Sequence, residues 1–370
     1  MIFKVLYFWV MNLLKPFSKH VIGAVVMMSV GVYATAQSKA DTMPKITVLE
    51  ETFIYNEAPF PECHASTLVD LGGGKIMAAW FGGTHERHPD VSIYTSLKTK
   101  NGWSTPKMAA NGVVNDTLRY PTWNPVLFKS KADTLFLYYK IGPSPSAWWG
   151  AYKFSTNDGK TWSTEIKLPD GILGPIKNKP IQLKNGRIIS PSSTESPDGN
   201  DWDAHMELSD DNGKTWIKIP VDSASAFKAI QPTLIQPNDT IIKALFRSDQ
   251  DVILESTSTD NGDTWSALKK TEVRNPNSGI DAVTLKSGMH LLVYNPTPSG
   301  ENWSSGRQKL NLAISKDGEH WQDLYKLEDH DAGEYSYPAI IQDADGFIHI
   351  SYTYQRKKIK YLKLELLEGK

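Results

Sequence analysis

Ser209-Asp210-Asp211-Asn212-Gly213-Lys214-Thr215-Trp216 recurs along the chain, and the recurrence decides the fold. Residues 258–265 read Ser-Thr-Asp-Asn-Gly-Asp-Thr-Trp, and residues 155–162 read Ser-Thr-Asn-Asp-Gly-Lys-Thr-Trp, with Asn157 in the Asp place. Residues 315–321 give a copy one residue short, and residues 96–103 keep only the Ser, the Gly and the Trp. The chemistry is that of a hairpin turn. An Asp or Asn carboxyl or amide oxygen accepts from the following backbone N–H groups, Gly supplies a positive φ, and the Trp packs on the sheet.

The flanking segments read as short strands, among them residues 76–80, 134–138, 241–245 and 290–294, and helical periodicity is almost absent. A repeat of roughly 50 residues with about four strands per unit is the pattern of propeller blades. Five copies mark five blades. A sixth unit, residues 337–367, lacks the turn motif, and its outer strand is expected from residues 46–55, closing the ring. The expected fold is all-β, a six-bladed propeller of four-stranded antiparallel blades in one domain over residues 45–368. A seven-bladed ring is the alternative.

The 370 residues carry 40 Lys and Arg against 41 Asp and Glu, a formal net charge of −1. That balance gives no general attraction to nucleic acid or an anionic membrane, so an acidic ligand must be held by a few placed cations. The one cysteine, Cys63, leaves no intramolecular disulfide and reads as a small buried residue. Residues 1–36 have the form of an export signal. Lys15, Lys19 and His20 precede an apolar run over 21–33, and Ala34-Thr35-Ala36 is a small-x-small cleavage site. The expected mature chain begins near Gln37, in the periplasm or outside the cell, as a monomer with no membrane insertion once the signal is removed.

The repeated turn and its spacing resemble the Asp-box, or BNR-repeat, proteins of the sialidase superfamily, over nearly the whole mature chain. This resemblance implies the fold strongly and the activity weakly, since unrelated activities share the turn. Sialidases grip a carboxylate with three arginines and use a Tyr nucleophile assisted by a Glu, with an Asp acid. By resemblance, Arg247 and Arg307 match two of the arginines, Tyr335 the nucleophile and Asp90 the acid. Two places depart from the pattern. The opening strand, residues 60–67, has no arginine, and Gln231 stands where the Glu belongs. Glutamine cannot take a proton, and a Tyr without a base is a poor nucleophile.

The first blade offers His64, His85 and His88 instead. Histidine beside an arginine clamp suits β-elimination on a uronic acid, in which a base removes the C5 proton, a cation neutralises the carboxylate and an acid serves O4. The arrangement is similar to propeller ulvan lyases and related glucuronate-processing enzymes. That likeness implies His64 and His85 as a catalytic pair and Arg247 as the carboxylate neutraliser. Gln231 falls on the lyase Tyr position, leaving Tyr120, Tyr335 or a histidine as the acid. Arg307, Gln231, Tyr120, His88 and Lys179 are expected to line the substrate site. Trp149, beside Trp148 in a Pro-rich loop, offers a face for sugar stacking. No cofactor is implied, although His85 and His88 leave a divalent metal open. The leading expectation is a carbon–oxygen lyase or dehydratase on a glucuronate-containing, ulvan-like oligo- or polysaccharide. An exo-glycosidase of sialidase or rhamnosidase type and a non-catalytic glycan-binding propeller are the alternatives.

Overall fold

A computed structural model describes residues 43–367 except 226 and 303, so the expected export signal lies outside the described residues. Six antiparallel sheets form the blades of a propeller, each of four strands, with one extra short strand in blade 1. In blade 4 the strands Ala229–Ile235, Ile242–Ser248, Val252–Ser258 and Lys269–Arg274 pair in chain order. The other inner strands are Glu62–Gly72, Thr122–Lys129, Ile181–Gln182, Asp281–Thr284 and Tyr335–Gln342. Blade 6 continues with Ile348–Tyr354 and Lys358–Leu367, and takes Lys45–Phe53 as its outer strand. That pairing closes the ring, as the sequence led us to expect. Strands such as Leu135–Ile141 and Ile242–Ser248 are buried along their whole length, because blades cover both of their faces, which is why they read as mainly apolar segments interrupted by Lys140, Lys243 and Arg247.

The repeated turns behave as their chemistry requires. The Asp211 carboxylate accepts from the Thr215 amide at 2.9 Å and the Thr215 hydroxyl at 2.6 Å, and the Gly213 amide donates to Ser209 Oγ at 2.8 Å. Trp216 Nε1 donates back to the Gly213 carbonyl at 3.1 Å. Each turn also seats against the preceding blade. Gly213 lies on Phe136 and Tyr138, and Gly159, Gly262 and Gly318 lie on Met77, Ile189 and Ile235. Blade 1 corrects the sequence reading. Ser96 Oγ donates to the Ser104 carbonyl as Ser256 Oγ does to that of Ser266, both at 2.6 Å. Ser96 therefore matches Ser256 and not the motif's Ser258, and the tight turn before Trp103 is not a copy of the motif.

Toward the axis the inner strands bend. Ala65, Asn124, Gln231 and Tyr337 adopt left-handed backbone (φ 56°, 37°, 53° and 52°) at register shifts in blades 1, 2, 4 and 6. Lys177 (φ 71°) and Asn277 (φ 55°) do so just ahead of the inner strands of blades 3 and 5. A bulge re-aims a side chain, and left-handed residues other than Gly concentrate at functional sites.

Candidate functional site

A cavity of about 920 Å³ opens above these bulges. Arg87, Arg247, Arg307 and Arg356 line it, with Glu62, Glu86, Glu334, His85 and Tyr337. Its centre is Arg247, which is buried near the end of strand Ile242–Ser248. Arg247 donates to Asn277 Oδ1 at 2.9 Å, to the Tyr337 hydroxyl oxygen at 2.6 Å and to Gln231 Oε1 at 3.3 Å. Three of the left-handed residues thus converge on one guanidinium. All three acceptors are neutral oxygens.

The carboxylates of the cavity are occupied by other cations. Glu334 accepts from Arg307 at 3.1 Å and from Arg356 Nε at 2.9 Å, Glu86 pairs with Arg356, and Glu62 pairs with Lys357 at 3.2 Å. Burial alone would raise Glu334, but Arg356, Arg307 and the Ser336 hydroxyl hold it below the usual glutamate value. Burial draws Arg307 below the usual guanidinium value, and its guanidinium lies over the Tyr337 ring at 5.9 Å. Arg356 was not singled out by sequence. It sits in the turn after Ile348–Tyr354, where consecutive left-handed residues, Gln355 (φ 50°) and Arg356 (φ 55°), turn it into the cavity.

Of the expected residues, Arg247, Arg307 and Gln231 come together at Tyr337, and His85 lines the same cavity. His64 lies beneath: its ring tilts against Tyr337 at 4.1 Å, and neither ring nitrogen has a hydrogen-bond partner. Burial, then the charges of Arg356, Arg307, Arg247 and Lys177, push it well below the ordinary imidazole range. It is a neutral floor to the tyrosine and does not line the main cavity. Tyr335 is buried in the core between blades 5 and 6, stacked on His330 at 4.5 Å with its oxygen accepting from Gln355 at 2.9 Å. Tyr337, two residues on, is the tyrosine that lines the cavity. The bulge between Ser336 and Ala339 breaks strand alternation there, so Tyr335 turns into the core while Tyr337 turns to the cavity.

The loop over residues 84–91 carries His85 to the cavity, while Asp90 and His88 hold the loop's shape. Asp90 accepts from the Thr84 amide at 2.9 Å and hydroxyl at 2.6 Å, and pairs with His88 at 2.7 Å. Among the described residues no group of three or more His, Cys, Asp or Glu could hold a metal. Tyr120 and Trp149 meet edge to face at 6.0 Å against the core of blades 1 and 2, and Trp148 packs on Trp123 at 5.7 Å. None of the three lines the cavity. Lys179 is turned to the axis, paired with Asp281 at 2.8 Å. Asp281 also accepts from the Thr233 hydroxyl at 2.8 Å and the Ile340 amide at 2.9 Å, tying blades 3, 4, 5 and 6. Lys177, which the sequence did not flag, plugs the axis below Tyr337. It donates to the Ile280 carbonyl at 2.7 Å and to that of Pro338, and burial draws its pKa down to about 7.

Residues 74–350 match the BNR repeat-like domain. The chain is 23% identical over 232 residues to the leech Macrobdella decora protein named Anhydrosialidase, covering 55% of this chain but only 29% of that one. A Dyadobacter fermentans protein of unknown function superposes with a TM-score of 0.69 at 17% identity, over 88% of this chain and all of its own. The intramolecular trans-sialidase of Ruminococcus gnavus gives 0.67 at 15% identity, over 87% and 99%. At such identities these structures share a fold. The chain belongs to the BNR repeat-like domain family, within the sialidase-like Asp-box propellers.

Proposed function

We propose that this chain is a carbohydrate-active enzyme acting on the terminal acidic sugar of a glycan, in the cavity around Arg247. The observation that supports it is a buried guanidinium whose partners are all neutral. A buried ion without a counter-charge is costly, and a bound carboxylate removes the cost. Arg307, on the same tyrosine ring, extends the grip to both carboxylate oxygens. The family favours glycoside cleavage of sialidase type. Tyr337 oxygen bonds to the anomeric carbon, the aglycone departs, and water then releases the sugar. Arg247, donating to the phenolic oxygen, carries charge that develops there. Export to the periplasm or beyond, as a monomer, completes the proposal.

A second reading rests on Gln231, which leaves no carboxylate base at the Tyr337 oxygen. Elimination from a glucuronate of an ulvan-like glycan uses the same carboxylate grip, with Tyr337 and His85 carrying the protons. Parallel incubation with a sialyl-oligosaccharide and a glucuronate-terminated oligosaccharide separates the two. Released sialic acid supports cleavage, and the ultraviolet band of an unsaturated uronate supports elimination. Tyr337→Phe stops either reaction. Absence of both products, with no binding of either acid, sinks the proposal.

A further inference from the structure

Glu195 ends strand Ile188–Glu195 of blade 3 and pairs with Trp202 across its hairpin. Side chains two apart on a strand share a face, so Glu195 follows Ser193 toward the rim. Ser193 Oγ accepts from the Gln231 amide at 3.3 Å, and the Gln231 side chain accepts from Arg247. Glu195 therefore faces blade 4 two residues beyond the Ser193–Gln231 contact, next to the cavity although not among the residues that line it. The charged groups acting on it are Arg247 of blade 4 and Arg87 and Glu86 of the loop over 84–91, and all three line the cavity. Glu62, Glu86 and Glu334 each face a cation within ion-pair distance, but Glu195 has no hydrogen-bond or ion-pair partner among the described residues. Burial raises its pKa above the ordinary glutamate value, with Arg247 and Arg87 opposing and Glu86 adding. A carboxyl whose burial favours its protonated form, facing the next blade beside a cavity, is suited to give a proton away.

We infer that Glu195 is the acid that protonates the departing oxygen in this cavity, brought by blade 3 to the edge where position 231 has no carboxylate. The inference rests on the proposed sialidase-type cleavage. As the bond from the anomeric carbon to the aglycone oxygen breaks, that oxygen takes the Glu195 proton. The Tyr337 oxygen bonds to the carbon, and the phenolic proton passes to solvent. In the second half the Glu195 carboxylate takes a proton from the attacking water, whose oxygen displaces the tyrosine. The tyrosine regains a proton from solvent, and one water is consumed.

The test compares sialyllactose, whose leaving oxygen needs a proton, with 4-nitrophenyl sialoside, whose leaving group does not. Glu195→Gln is expected to lower kcat/KM on sialyllactose roughly 100-fold or more, to leave the aryl sialoside nearly unchanged, and to remove the alkaline limb of the pH profile. Glu195→Asp restores part of the loss. Calorimetric binding of free sialic acid, unchanged in Glu195→Gln, confirms an intact site. Equal loss on both substrates, or loss on neither, overturns the assignment while leaving the cavity's proposed function standing. Wild-type protein that turns over neither sialoside overturns the assignment together with the sialidase-type reading it rests on, and the glucuronate incubation then decides the cavity's proposed function.

Discussion

Arg187 and Arg247 show how differently the outer edge and the cavity of this propeller treat a positive charge. Arg187 reaches two repeated turns, pairing with Asp210 at 2.7 Å and Asp263 at 2.6 Å, and so joins blades 3 and 4. Arg247 is more deeply buried and meets only an amide oxygen from each of Asn277 and Gln231 and the hydroxyl of Tyr337. The outer charge is balanced by the chain itself. The inner one is balanced only when something arrives. Both are hydrogen-bonded arginines, so the presence of partners does not separate a structural cation from a binding one. On the proposed function, the charge of the partners does.

Asp281 tests the structural side of that rule most severely, because it is buried and fully paired. Asp281→Ala leaves Lys179 without its carboxylate and three strands without a common acceptor. A loss of about 3–5 kcal/mol in denaturant unfolding is expected. A loss below about 1 kcal/mol would mean that pairing at the axis matters no more than pairing at the surface. Arg247→Met tests the other side. The unliganded protein should hold or gain in melting temperature, because an unbalanced buried charge is gone, while carboxylate binding falls by about 100-fold or more. If this variant melts lower, Arg247 is structural after all and the comparison breaks. Arg187→Met should cost only about 0.5–1 kcal/mol, since its two aspartates are largely exposed to water.

The smallest effect is one of pH. The Thr215 hydroxyl and amide pull Asp211 from 3.8 to about 2. A carboxyl depressed in the folded state stabilises fully above its unfolded value and loses that contribution as pH falls from about 4 toward 2. Acid unfolding followed by tryptophan fluorescence should therefore be shallower in Asp211→Asn than in the native chain. An unchanged acid limb would show that this turn contributes nothing of its own to acid stability.

The outer turns were legible because everything that shapes them is local. Ser209, Asp211, Gly213, Thr215 and Trp216 bond to one another, so the same letters recur wherever the turn does. The cavity is assembled from distant segments, and only part of it left a sequence trace. Gln231 and Arg247 were found through the family resemblance, which holds because both sit on paired strands of one hairpin. Resemblance pointed to Tyr335, whereas a bulge that shifts the alternation by a residue turns Tyr337 to the cavity and Tyr335 into the core. A usable signal did exist: Asn124-Pro125, Gln231-Pro232 and Tyr337-Pro338 each place a proline after the left-handed residue of an inner strand. Arg356 and Glu195 reach the cavity region from a turn and a strand end that carry no motif, and only the closed ring brings them there.

The closing strand has a topological consequence. Lys45 lies opposite Leu367, so the two ends of the described chain are hydrogen-bonded neighbours. A short linker between them would make the polypeptide a circle. A cut in the exposed stretch over residues 196–201 would then yield a permuted protein with all six sheets whole. In that permutant the join between first and last strands would fall in blade 3, and blade 6 would be made of continuous chain. The native order of blades is one of several ways to cut the same circle.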